Sequence, residues 1–500
     1  MTVMVAATEV VVVGAGPVGL SVAVELARRR VKCRVVDRRA EPRPGTRGCT
    51  LWQRTLETLD LMGLPMADFA SRAVSYRRRV YHPFGGPELA VELREGNTPY
   101  PLPLLIGQQE TERALTERLR DLGTEVERGV RAAGLEQDAE GVTLTLDRAT
   151  GTREIVRAQW VVSAEGSHSM VREALGVPWH TRRFTGTQLV QVDAVAHGLP
   201  GDGAGEAHLH LTADGFLGDL PLPDGRRRLF AAVADPDPGD RSDPSVDEVE
   251  AYVRKLSGVP DIRLRSPRHS WRVRLHNSVA GSFRYGRCLL VGDAARTVMP
   301  VTAQGMNTGI QDAFNLGWKL AAVVGGAGER LLDTYAAERL PVAHSLLRRT
   351  ERSFWGGVGT PPTPEAVTVG VRRQQQARSD QAVDYRDSTL SRQWAERPGP
   401  RAGDRAPQIA LTGADGNPTT LYDELRHGDW VSVAAVPRTG LPHGVRSARP
   451  AATAAGNPAD PYALAEGETL LIRPDGYLGC RVGPGDSRAP ARYLRETYGS

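Results

Sequence analysis

Cysteine is scarce in this chain: only Cys33, Cys49, Cys288 and Cys480 occur in 500 residues, and no two form a CxxC pair. That count and spacing argue against a disulfide framework and a zinc site, so no metal is expected and a reducing cytoplasm fits. Long apolar runs are missing too. The stretch "EVVVVGAG" near the N-terminus is shorter than a signal-peptide core and ends in glycines. Nothing reaches the roughly 20 apolar residues of a membrane span, so no membrane partner is expected. An excess of one charge is also lacking, since 63 Lys and Arg stand against 59 Asp and Glu. The arginine runs at 28–30, 77–79 and 226–228 are short and scattered, which reads as solvated faces and not as a nucleic-acid footprint.

What is present is an ordinary globular composition, 40% hydrophobic and 24% charged, in a chain long enough for two or three domains. The chain opens as strand, tight turn, helix, strand. Val10–Val13 is a continuous apolar run, Leu20, Val24 and Ala27 recur at helical spacing, and "CRVVD" ends in Asp37. Between strand and helix lies a GxGxxG fingerprint, Gly14, Gly16, Pro17 and Gly19. Its first glycine permits the turn, the second lets backbone approach a pyrophosphate, and the third lets helix pack on strand. Asp37, followed by Arg38, is placed to accept hydrogen bonds from ribose hydroxyls. NAD and FAD both remain open on these residues alone.

A second segment, "LLVGDAARTVMPVTAQGMNTGIQDAFNLGWKLA", separates the two. Gly292 and Asp293 end a short apolar strand, a loop follows, and a helix begins near Gln304, Gly305, Met306 and Asn307. The partial positive charge at that helix start suits a ring that becomes anionic when reduced, as an isoalloxazine does and a nicotinamide does not. A capped core helix is the plainer alternative, because Gly309, Ala313, Leu316 and Leu320 make an ordinary buried face.

The alternation of patterns predicts an α/β chain. A Rossmann-like domain is assembled from residues 1–75, 105–178 and 278–355. A mostly β, substrate-binding domain (76–104 and 179–277) is inserted into it. A Pro-, Gln- and Arg-rich linker (356–397) leads to a small α/β block (398–500). No internal repeat is visible. On the β domain, Gln191 and Asp193 share one face of a predicted strand, and so do His208 and His210. Either pair can line a ligand pocket, or both can be solvent-facing sheet residues.

In this order the motifs resemble the class A flavoprotein aromatic hydroxylases of the p-hydroxybenzoate hydroxylase fold, from about Val10 to Phe354. "TRGCTLWQRTLETLDLMGL" is similar to the family's flavin loop, with Arg47 and Arg54 on the matching positions. Gln108 falls where the family bonds the ribityl region, and Glu165-Gly166 in "SAEGSHSMVR" on a segment tied to FAD and NAD(P)H. The element order and the closing block resemble the larger actinomycete-type hydroxylases that tailor aromatic polyketides, whose last domain is thioredoxin-like, here without a CxxC.

The resemblance implies FAD as cofactor and NADPH or NADH as transient reductant. It implies transfer of one atom of O2, by way of a flavin hydroperoxide, to a polycyclic aromatic or phenolic small molecule by a monomer or homodimer. Arg296 and Pro300 are catalytic candidates; Arg296 can stabilise a phenolate or peroxide anion or serve as a simple salt-bridge residue. The sequence departs from the family at Glu165 (usually Asp), Arg296 (usually His) and Thr302-Ala303 (usually Gly-Gly). Baeyer–Villiger insertion, a flavin oxidase or dehydrogenase, and a non-enzymatic flavoprotein remain alternatives.

Overall fold

The apolar run Val10–Val13 is the buried end of strand Thr2–Val13, at the centre of an eight-stranded sheet. Its parallel neighbours are Cys33–Asp37 and Arg153–Ser163, with Val126–Arg128 and Cys288–Leu290 parallel beyond them. Strands from three separated stretches join where Val10–Val13, Val35–Val36, Trp160–Val162 and Cys288–Leu290 are apolar on both faces and must be covered twice. The structure is a computed structural model that describes residues 2–42, 48–83, 85–199, 205–240, 242–353, 383–396, 398–435, 444–451, 461–486 and 488–499, together with Val369.

Helix Pro17–Ala27 leaves the fingerprint with proline in its first turn, where a missing N–H costs nothing. It packs tightly on helix Gly305–Val324. A Cβ on Gly309 would lie 2.6 Å from Val18 Cγ2, and one on Gly317 would lie 2.4 Å from Glu25 Cβ. The two sequence motifs are therefore locked together by glycines that allow no side chain.

The second sheet also has eight strands, in the order Arg296–Thr297, Arg263–Ala280, Trp179–His197, Arg227–Ala234, Gly215–Pro221, Glu206–Thr212, Arg78–Pro83, Leu89–Glu92. Its edge strand Arg296–Thr297 follows the Gly292-Asp293 turn directly, so the chain crosses from one sheet to the other within a few residues. Register then decides which side chains can meet a ligand. Gln191 stands opposite Phe230, Phe230 opposite Gly218, and Gly218 opposite Leu209. One residue along each strand, the row runs Val192, Leu229, Asp219, His208, Val80 on the other face. That second face is covered by helix Val246–Ser257 through Val249 and Val253. The first face packs on Cys49, Trp52 and Tyr76 on one flank and on Met299 on the other, with Phe230 in both clusters.

A third, seven-stranded sheet lies in the C-terminal block, with helices Leu421–Leu425 and Ala489–Tyr498. Its edge strand Arg392–Gln393 comes from the stretch expected to be linker. This block is riveted to the first domain by ion pairs, Arg405 Nε to Glu57 at 2.9 Å and Arg426 Nε to Asp60 at 2.7 Å. Among the described residues no helix is long and apolar enough to cross a membrane.

Candidate functional site

At the first end of the site the three glycines have separate physical jobs. Gly14 has φ +103°, and a Cβ there would lie 2.4 Å from the Ala164 carbonyl oxygen; on Gly19 it would lie 1.9 Å from the Gly14 oxygen. Gly16 is different, since no atom of the described residues lies within 4 Å of its Cβ position. The gap is open at the start of a helix that has no side-chain cap, which suits an approaching pyrophosphate. Asp37 is buried, accepts Ala15 N–H at 2.8 Å and Arg39 N–H at 2.9 Å, and has exposed Arg38 beside it.

At the second end Gly292 takes φ +56° and turns Asp293 outward. The Cβ position of Gly305 lies 4.0 Å from Asp293 Oδ1, so carboxylate and helix start converge. Pro300–Thr302 form one tight helical turn, and Ala303 closes it at φ +55°, a left-handed conformation that favours glycine. Asn307 staples this helix to the loop expected at the flavin: its Oδ1 accepts Trp52 N–H at 2.9 Å and its Nδ2 donates to Thr50 O at 2.8 Å. A Cβ on Gly48 would come within 3.3 Å of Met306, and Gly48 N–H donates to Gln108 Oε1 at 3.3 Å. Gln304 Oε1 and Thr302 Oγ1 are buried with no partner among the described residues. Such atoms are normally satisfied by a ligand or water, so the residues present fit a polar cofactor lying between the two ends. Arg47 lies outside the described residues.

Four expectations need correction. Arg54 does not point toward this cleft: its guanidinium donates to Glu57 at 2.8 Å and to the Asp475 carbonyl at 2.7 Å, at the junction with the C-terminal block. Glu165 is folded back onto its own turn, beside Gly166 at φ +85°. It accepts from Ser169 Oγ at 2.7 Å, Ser163 Oγ at 2.9 Å and the Met170 and Val171 N–H groups at 3.1 Å, and so caps helix Met170–Ala174. The extra methylene relative to Asp is used for that reach. Arg296 is 2% exposed and ion-paired to Asp312, the arrangement of a salt-bridge residue. His208 and His210 lie on the helix-covered face of the second sheet, opposite to Gln191 and Asp193.

Those histidines form a cluster of their own. His82 Nε2 is 3.0 Å from His208 Nδ1, and the His82 and His210 rings stack at 4.4 Å. Burial, reinforced by His82 and His208, holds His210 down at about 4, and burial also lowers His82 and His208. The folded pKa lies below the unfolded value of about 6.5. Stability is therefore complete above that pH and is lost as pH falls from there toward about 4. The unfolding free energy from denaturant titrations over this window should fall by an amount of the order of 3 kcal/mol, and His210→Phe should flatten the fall.

The cleft-facing side of strand Trp179–His197 holds Gln191, whose Nε2 is buried without a partner among the described residues, and Asp193, paired with Arg228 at 2.9 Å. Arg228 also lies 5.3 Å from the Trp271 ring centroid. Arg79, missed in the sequence, sits under Tyr76 and donates to its hydroxyl at 2.6 Å. Its signal was available, because it alternates with Tyr81 along one strand. Cys49 faces the same pair, and burial pushes its thiol up, so it stays protonated.

Residues 7–350 match the FAD binding domain family. A flavin-dependent monooxygenase of Mycobacteroides abscessus is 33% identical, covering 97% of this chain and 99% of that protein. The 6-methylpretetramide 4-monooxygenase of Streptomyces rimosus is 34% identical over 95% of this chain and 90% of its own length. Among solved structures, the anhydrotetracycline hydroxylase of Streptomyces rimosus superimposes with a TM-score of 0.80 at 28% identity, covering 99% of both chains.

Proposed function

This chain belongs to the FAD binding domain family of flavin-dependent monooxygenases, and from that premise we propose that it uses NADPH or NADH and O2 to place one oxygen atom on a polycyclic aromatic, polyketide-type phenol. The observation that carries the reading is the cleft face of the second sheet. It carries the apolar and aromatic side chains Tyr76, Phe230, Leu189 and Met299, and among them Gln191 Nε2 is buried with no acceptor among the described residues. A phenol or quinone oxygen would complete it. The names of the relatives point to the same class of substrate, 6-methylpretetramide and anhydrotetracycline.

FAD, when bound, supplies the electron transfer and the activation of oxygen. The chain's own residues bind, orient and exclude water. Gly14, Gly16 and Gly19 with the helix start would take the pyrophosphate, and Asp37 the adenosine ribose. Asp293, Gln304 and Thr302 would take polar groups toward the ring. Phe230, Leu189 and Met299 close one flank against water. Asp193 and Arg228 form a charge-neutral pair that holds Arg228 in place to orient an oxygen-rich ring. The four cysteines are all free, which suits the cytoplasm as its compartment.

The test is anaerobic. NADPH, then NADH, is added to the yellow protein with and without a panel of polycyclic phenols, and isotopically labelled oxygen is then admitted. Ligand-stimulated bleaching followed by one labelled oxygen in the product is the expected result. Hydrogen peroxide with an unlabelled, oxidised product would replace this reading by an oxidase.

A further inference from the structure

The C-terminal block grips the element that carries the second motif. Helix Asp333–Ser353 is the intermediary. Its Tyr335 hydroxyl donates to the Leu290 carbonyl at 2.7 Å, just before the Gly292-Asp293 turn. Its Arg339 is fully buried and donates three ways: to Asp312 at 2.6 Å, to the Thr308 carbonyl at 3.2 Å, and at 2.8 Å to the hydroxyl of Tyr385, in the stretch that leads into the C-terminal block and packs on it. Asp312 in turn binds Arg296, which lies between Asp293 and Pro300. Arg296, Asp312, Arg339 and Tyr385 thus form one buried chain. It spans from the loop at the flavin, through the first turns of helix Gly305–Val324, to the third sheet.

We infer that Arg339, held by Tyr385, is a positioning residue for the flavin, and that the C-terminal block sets cofactor geometry through it. The argument is one of shape and charge. Asp312 accepts from two guanidinium groups, so its position is a compromise between the loop and helix Asp333–Ser353. The Thr308 carbonyl belongs to the first turn of the helix that begins at the cleft. When Tyr385 lets go of Arg339, the guanidinium swings toward its remaining partners, and the loop and the helix start change their spacing. Both ends of that spacing, Asp293 and Gln304–Asn307, are the groups proposed to hold the flavin. The buried charge at this point is also net positive, and displacing it alters the field at an anionic ring. Tyr385 itself is anchored independently, with its N–H on the Gly403 carbonyl at 2.8 Å and its ring 4.3 Å from that of Tyr477. The inference rests on FAD binding alone, so a protein that binds flavin and oxygenates no tested substrate leaves it standing.

The test compares wild type with Tyr385→Phe and Arg339→Lys in the full chain. FAD affinity is read from flavin fluorescence, together with the visible spectrum and the reduction potential of the bound flavin. Tyr422→Phe is the control, because it removes another buried hydroxyl at the same junction, one that accepts from Arg405 at 3.0 Å, away from this chain of contacts. Tyr385→Phe should weaken FAD by about ten-fold, the size of one buried hydrogen bond to a charged group, and shift both spectrum and potential. Arg339→Lys should do more, and Tyr422→Phe should leave all three readouts native. Native affinity, spectrum and potential in folded Tyr385→Phe would overturn the inference. Equal changes in Tyr422→Phe would overturn it too, by showing general loosening of the junction. A wild type that took up no FAD would overturn both this inference and the flavoprotein reading.

Discussion

Gly16→Val is expected to yield a folded, colourless protein. A Cβ at this position meets no atom of the described residues within 4 Å, so the substitution should leave the fold intact. It occupies the space through which a pyrophosphate must approach the start of helix Pro17–Ala27. The loss of FAD affinity should be at least about a hundred-fold, since a steric block removes the helix-start hydrogen bonds and the close approach together. The contrast with its neighbours makes the prediction specific. Gly19→Val forces a Cβ to within 1.9 Å of the Gly14 carbonyl, so it should fail to fold at all. Circular dichroism separates the two, and equilibrium dialysis against FAD reads the first. A yellow Gly16→Val protein would place the cofactor elsewhere.

Glu338→Ala is expected to cost about 3–5 kcal/mol of stability, the cost of stranding buried cations. The Glu338 carboxylate is 1% exposed. It accepts from Lys319 Nζ at 2.7 Å, Asn315 Nδ2 at 2.7 Å, Ser388 Oγ at 2.6 Å, and Arg473 at 2.7 and 2.9 Å. Burial works to raise its pKa, but Arg473 and Lys319 outweigh burial and hold it well below the usual carboxylate range. Lys319 is already brought down to about 8 by burial, with Glu338 opposing that shift. Without Glu338 the ammonium keeps Asn315 and little else. Arg473 keeps Asp475, whose Oδ1 lies 3.0 Å from its Nε. Glu338→Gln, which keeps the shape and one acceptor, should lose less. Chemical denaturation of both variants checks the order, and a loss under about 1 kcal/mol for Glu338→Ala would refute the assignment. Because the four partners come from three stretches of chain, the variant should also loosen the C-terminal block, which limited proteolysis can read.

The sequence by itself determined the local things. The three fingerprint glycines, Asp37 at a strand end, Asp293 on its turn and the helix beginning at Gly305 were all readable, because turn chemistry and periodicity act within a few residues. The assembly of one parallel sheet from separated pieces was readable too, since continuous apolar runs must be covered on both faces. Partner choice was not. Arg54 matches a flavin-loop position, yet its hydrogen-bond acceptor is a carbonyl 421 residues away, and no local pattern names it. Arg296 is claimed by Asp312 on a helix that only the packing of Val18 against Gly309 brings close. His208 and Gln191 both alternate correctly along their strands, but which face meets the cleft is fixed by inter-strand register and by the helix that covers the other side. Periodicity gives a face and not its direction; only the tertiary structure chooses between the two, because the choice depends on what else must be buried.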